Sequence, residues 1–185
     1  MILSDKHIKE EIEAGRIVID PFEERFIQPS SVDLRLGEDF RVFRNSRYAF
    51  IDPTVEQPGL TEHIIATEAE PFVLHPGEFA LGVTLERIAI PDNIVGRLEG
   101  KSTLGRLGLM IHSTAGYVDP GWDGYLTLEL CNVSNLPILL KPGMRIGQIT
   151  FDQMTSSVEI PYGDPRLGSH YQGQSGATPS CPLKD

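Results

Sequence analysis

A chain of 185 residues with 40% hydrophobic and 23% charged side chains has enough apolar material for one domain with its own core. Its formal net charge of −10 argues against a general nucleic-acid binder, because a phosphate backbone demands a basic surface. No apolar run reaches membrane-spanning length, and the start MILSDKHIKEEIEAG lacks the basic flank and long apolar stretch of a signal peptide. No membrane partner and a cytoplasmic location are therefore expected. Two cysteines, Cys131 and Cys181, cannot build a disulfide framework and are not spaced as metal ligands.

The chain opens on a short predicted helix. Ser4 is placed to cap it, Ile8 and Ile12 share one face, and Gly15 can end it. Beyond it the pattern is of short β-like runs, at Arg16–Asp20, Ser31–Leu36, Glu78–Leu85, Asn93–Leu98, Gly124–Asn132 and Arg145–Phe151. Pro76-Gly77 and Pro142-Gly143 each read as a turn entering a strand. Residues 45–70 carry few strand signals and read as a long loop. Cys131 falls in an apolar run and is expected in the core. The stretch from Tyr162 to Asp185 is rich in Gly, Ser, Gln and Pro and reads as a mobile tail unless something pins it. Many short strands with frequent turns predict an all-β sandwich or barrel in one domain.

Four segments carry candidate chemistry. Gly100-Lys101-Ser102-Thr103-Leu104-Gly105-Arg106 offers backbone N–H groups and cations to phosphate oxygens. It is not a P-loop, because the glycine required at position 95 is Val95. In Gly124–Asn132, Tyr125, Thr127 and Glu129 share one strand face and Leu126, Leu128 and Leu130 the other. The leucines belong in the core, leaving Glu129 to a cleft, an interface or water. Asp119, before Pro120-Gly121, is either a turn former or a site carboxylate, and Trp122 reads as a packing residue. Gln148 follows the second Pro-Gly turn, and the tail holds Tyr162, His170 and Gln174. Residues 100–150 carry four basic against three acidic side chains in an otherwise strongly acidic chain, so a small polyanion could bind there.

The order of these blocks resembles the dCTP deaminase family of the trimeric dUTPase-like superfamily. The blocks are Gln28-Pro29-Ser30-Ser31-Val32-Asp33-Leu34-Arg35-Leu36, Glu99 to Gly108, Thr114 to Glu129, Pro142 to Gln148, and Tyr162 to Gln174. The resemblance implies a distorted jelly-roll β-barrel over 1–185, with a glycine-rich tail at 162–185 that closes over the nucleotide. It also implies a homotrimer with active sites between subunits. Glu129, Ser102, Arg106 and Asp119 match the family's catalytic positions. Lys101, Ser102, Thr103, Leu104, Gly105 and Arg106 would serve a neighbouring subunit's site. Thr127, Leu128 and Glu129 would read the pyrimidine, largely through the backbone, and Asp119 would sit beside the deoxyribose. Gln148, Tyr162 and Gln174 match triphosphate-binding positions. His170 stands where the family usually has lysine, which would make its phosphate contact sensitive to pH.

The implied substrate is dCTP, with dUTP and inhibitory dTTP as further ligands. Zinc deaminases carry H-x-E and P-C-x-x-C, and this chain has neither, so water must be activated by a carboxylate. Mg²⁺ would arrive on the triphosphate, with no ligand cage of its own on the protein. Dual-function members carry Gly followed by an aromatic residue where deaminase-only members carry His-Arg, and Gly116-Tyr117 matches the former. The resemblance therefore implies conversion of dCTP to dUMP, pyrophosphate and ammonia. Release of dUTP, or a non-catalytic deoxynucleotide-sensing domain, are the alternatives, and Gly116 read alone could merely ease a hairpin bend.

Overall fold

The computed structural model describes residues 1–44 and 46–183. Helix α1 (Asp5–Glu13) buries Ile8 completely, and Ile12 packs against the same core. Gly15, at φ +69°, ends it in the left-handed conformation that glycine adopts without a Cβ penalty. Ser4 occupies the N-cap, but its hydroxyl meets His7 Nδ1 at 3.1 Å and makes no bond to a helix amide, so the expected side-chain cap does not form.

Thirteen strands follow among the described residues: β1 (Val18–Asp20), β2 (Ile27–Gln28), β3 (Ser31–Arg35), β4 (Asp39–Phe43), β5 (Thr61–Ile65), β6 (Phe72–Leu74), β7 (Phe79–Ala89), β8 (Ile94–Gly100), β9 (Leu109–Met110), β10 (Tyr117–Val118), β11 (Asp123–Asn132), β12 (Ile138–Leu140) and β13 (Arg145–Gln153). A single helical turn, α2 (Ser102–Gly105), separates β8 from β9. Every predicted run contains a strand. The first starts only at Val18, because the Arg16 and Ile17 amides still donate to Glu11 O in the helix's last turn. The predicted loop over 45–70 is interrupted by β5, which pairs with β4 along its length; position 45 itself lies outside the described residues.

All pairings are antiparallel. One sheet runs β5-β4-β7-β11-β9, with β1 also on β7; a second runs β10-β8-β13-β3-β2; β12 and β6 form a small third. The end strands of each main sheet do not pair with each other, so the jelly roll is built of packed open sheets and not of a closed barrel among the described residues. One apolar cluster joins them, with Leu34, Ile149 and Phe151 from the five-stranded sheet against Phe40, Ile88, Leu128 and Leu130 from the six-stranded one. Each such side chain contributes about 1.5–3 kcal/mol by leaving water. Both Pro-Gly turns form. Glu78 N donates to His75 O at 3.0 Å and Met144 N to Lys141 O at 3.2 Å, with Gly77 and Gly143 at φ +74° and +81°. A positive φ after proline is the demand of a type II turn, which is why glycine follows.

Candidate active site

The alternation along β11 decides what the site can contain. Leu126, Leu128 and Leu130 are buried, while Tyr125, Thr127 and Glu129 are half-buried on the opposite face. Cys131 falls on that same outward face and is half-buried, not the core residue expected from its apolar neighbours, because the strand's period of two sets its direction. On this face lies a cavity of about 370 Å³, a volume that suits a small-molecule ligand. Glu129 and Asp119 are its carboxylates, Phe43, Phe79 and Leu81 its apolar sheet wall, and Tyr162, Tyr171 and Gln174 its contribution from the tail.

Loop 111–116 holds the central carboxylate. Glu129 Oε2 accepts from Ser113 N at 2.7 Å, and Glu129 N donates to Ile111 O at 2.9 Å. At the loop's end, Gly116 O accepts from Leu98 N at 2.8 Å. Gly116 has no left-handed φ, so a bend does not require glycine there. Packing there is close: a Cβ would stand 3.1 Å from Leu98 O and 3.3 Å from the His112 ring. The next residue, Tyr117, is exposed. Arg97 lies 4.6 Å above its ring and donates to its hydroxyl at 2.8 Å.

Asp119 serves as a turn residue through its backbone and as a cavity residue through its side chain. Its carbonyl accepts from Trp122 N at 3.0 Å, closing a turn in which Gly121 has φ +90°. Trp122 is the packing residue expected, buried with its ring 5.4 Å from that of Tyr162. Burial in this corner pushes the Tyr162 hydroxyl above the ordinary phenol pKa, and that oxygen accepts from Tyr171 N at 3.3 Å.

The tail runs along β11. Gly173 N donates to Asp123 O at 2.8 Å and Tyr125 N to Gln174 O at 3.1 Å. The Gln174 side chain donates to Tyr125 O at 2.7 Å, and Thr178 N donates to Thr127 Oγ1 at 3.3 Å. His170 is exposed beside Tyr171 and does not line the cavity. Residues 184 and 185 of the tail lie outside the described residues.

The remaining sequence-predicted residues gather elsewhere. Lys101 pairs with Asp33, whose other oxygen accepts from Arg145 at 3.0 Å; the Asp33 side chain is fully buried. Gln148 accepts from Ser31 Oγ at 3.1 Å and donates to Gly100 O at 3.4 Å. Ser102, Thr103, Gly105 and Arg106 are exposed, and Leu104 packs on the core. None of residues 101–106, nor Gln148, lines the Glu129 cavity. Leu128, also expected at the base, is fully buried and does not line the cavity. One chain thus presents two separate groups of candidate residues. Sequence reasoning missed Phe43, Phe79, Leu81, Tyr171, Thr178 and Ser180 as cavity wall. Leu81 was findable, because β7 follows a clear turn and pairs with β11. Among the described residues, no three His, Cys, Asp or Glu side chains converge as a metal site.

The fold of packed open antiparallel sheets is a known architecture. It is similar to the crystal structure of 2′-deoxycytidine 5′-triphosphate deaminase from Agrobacterium tumefaciens, with a TM-score of 0.63 at 23% identity, covering 81% of this chain and 46% of that one. The dCTP deaminase-like family matches residues 2–154, and the chain belongs to that family. It is 60% identical over 180 residues to the "dCTP deaminase, dUMP-forming" of Mycolicibacterium vanbaalenii, covering 97% of this chain and 95% of the relative. It is 59% identical over 180 residues to the protein of the same name in Mycobacterium bovis, with the same coverage of each.

Proposed function

We propose that this chain hydrolyses dCTP to dUMP, pyrophosphate and ammonia. The observation that carries the reading is Glu129, fixed by the Ser113 amide in a cavity that also holds Asp119. The likeness to dUMP-forming relatives at 60% identity supports it. Glu129 takes a proton from water, the hydroxide attacks C4 of cytosine, and Glu129 passes that proton to N3; it then takes the proton of the new C4 hydroxyl and gives it to the amino group, which leaves as ammonia while C4=O forms. Product dUTP is then cleaved by a second water at the α-phosphate, oriented by Asp119, with pyrophosphate leaving; Gly116, packed against Leu98 and His112, sets the path of the loop that leads to Asp119.

The second group of residues enters from another copy of the chain. We infer a homotrimer in which Lys101–Arg106 and Gln148 of one subunit complete the Glu129 cavity of the next, with Ser102 and Arg106 holding the water and the developing charge. Gln148, Tyr162, His170 and Gln174 bind the triphosphate. Mg²⁺ usually binds through one or two carboxylates plus substrate phosphates, and a cavity with Asp119 as its free exposed carboxylate fits that mode. When bound, the ion neutralises phosphate charge. dUTP and inhibitory dTTP are further ligands of the same cavity. No helix among the described residues is long and apolar enough to cross a membrane; the cytoplasm is proposed as the protein's site of action.

The test is incubation of the purified protein with dCTP and Mg²⁺, with nucleotides resolved over time. Accumulating dUMP, pyrophosphate and ammonia is expected. Accumulating dUTP would restrict the activity to deamination, and intact dCTP would remove the reading.

A further inference from the structure

A row of side chains on the outer face of the six-stranded sheet connects the Glu129 cavity to the sheet's far edge. Glu129 on β11 stands opposite Leu81 on β7, Leu81 opposite Arg41 on β4, and Arg41 opposite His63 on β5. The tail crosses this face. Ala177 is buried there against Leu81 and Val83, with Phe43 and Tyr125 at the margin, in an apolar cluster separate from the main core. Gly176 has φ +70°, and the Asp39 carboxylate occupies the place where a Cβ would stand, so any other residue there would be strained and would displace Asp39.

Arg41 fastens this crossing. Its Nε donates to Ala177 O at 2.6 Å and its Nη1 to Thr61 Oγ1 at 3.2 Å. The nearby Asp39 carboxylate stands beside His63, whose Nε2 lies 2.5 Å from Oδ1 without hydrogen-bond geometry. Among the described residues no carboxylate pairs with Arg41, so its charge-assisted bonds go to a neutral carbonyl of the tail and a hydroxyl of β5. Arg41 does not line the cavity. The residues just beyond its anchor do: Thr178, whose amide bonds Thr127, and Ser180 both form part of the wall that also contains Glu129.

We propose that Arg41 is a positioning residue for dCTP turnover. By fixing the Ala177 carbonyl it fixes the Thr178–Ser180 wall, and with it the affinity of the closed cavity for nucleotide. The inference rests on the proposed function for its kinetic consequence and on the geometry alone for its effect on the tail. Bond making and breaking stay with Glu129, so loss of Arg41 acts on KM and leaves kcat nearly unchanged.

The experiment uses the full chain as wild type, Arg41→Met and Arg41→Lys. Two readouts are taken: steady-state kinetics with dCTP, and hydrogen exchange of the peptide spanning 176–181. Arg41→Met is expected to raise KM roughly ten- to hundredfold, the range of a lost charged hydrogen bond, with kcat within about threefold. Exchange in 176–181 rises with it, and Arg41→Lys recovers part of both. Unchanged KM, or a raised KM with the tail still protected, overturns the proposal. So does a fall in Tm with faster exchange throughout β4 and β5 and no shift in KM. If Arg41→Met does not fold, Arg41→Lys carries the same readouts. If the wild type leaves dCTP intact, the proposed function falls, while the exchange data still decide whether Arg41 anchors the tail.

Discussion

The Ser113 amide donates to Glu129 Oε2 at 2.7 Å, so the loop that ends at Gly116 sets the direction of the Glu129 carboxylate in the cavity it shares with Asp119. Glu129→Gln keeps an acceptor for Ser113 and removes the proposed base. Ammonia release is expected to fall by about 10²–10⁴-fold, with dCTP affinity changed only severalfold. Ammonia assay and isothermal titration check it. Full deamination in this variant would sink the assignment.

Gly116→Ala places a methyl group 3.1 Å from Leu98 O and 3.3 Å from the His112 ring, at a backbone angle that alanine tolerates. The loop must shift by a few tenths of an ångström. The ratio of dUMP to dUTP formed is expected to drop by about tenfold or more, since small misplacements are costly to a positioned water. Product chromatography reads this directly, and an unchanged ratio would disconnect Gly116 from the second reaction.

The separation of Glu129 from Arg106 within one chain makes a mixing experiment informative. Glu129→Gln and Arg106→Ala are each expected to be inactive. Refolded together in equal amounts, they should regain about a quarter of wild-type activity, because each shared site draws one half from each of two subunits. No recovery would place the whole site in one chain.

Asp33 is a fully buried carboxylate holding Lys101 and the half-exposed Arg145. Asp33→Ala leaves a part-buried cation without its counter-ion. A loss of about 2–3 kcal/mol is expected in urea unfolding, below the value for a wholly buried pair because Arg145 reaches water. An unchanged midpoint would show that the pair is energetically silent.

Asp164 has its carboxyl lowered to about 2 by hydrogen bonds from the Arg166 side chain and then from the Arg166 amide. A depressed folded pKa stabilises the fold above the ordinary value of 3.8, and that contribution is lost as the pH falls from there through about 2. The short helical turn at 165–167 should therefore loosen first in acid. An NMR titration of Asp164 with a midpoint near 4 would contradict this.

Much of the architecture was legible in the residues. The leucines of β11 declare their buried face by alternation, and each Pro-Gly pair declares its turn. The β4–β5 hairpin was not legible, because Arg41 and His63 on its outward face interrupt any apolar pattern, and its order comes from pairing with distant β7. The division of the candidate site was hidden for a related reason. Spacing along a chain places Lys101 and Glu129 in the same region, whereas strand topology puts Lys101 against Asp33 and Glu129 against Leu81. The tail's glycines suggested freedom, yet at Gly176 the glycine is what permits close packing on Asp39.

Strand β9 pairs with only the last two residues of β11, Cys131 and Asn132, and the opposite end of that strand is hydrogen-bonded by residues 173 and 174. The tail is thus a cover for a sheet margin as well as a closure for the cavity. A chain cut after Gln172 would present the Asp123 carbonyl and the Tyr125 amide as an open template for another polypeptide. The cost of losing the last thirteen residues would then be felt in solubility: concentration-dependent scattering would appear even in samples that never meet a nucleotide.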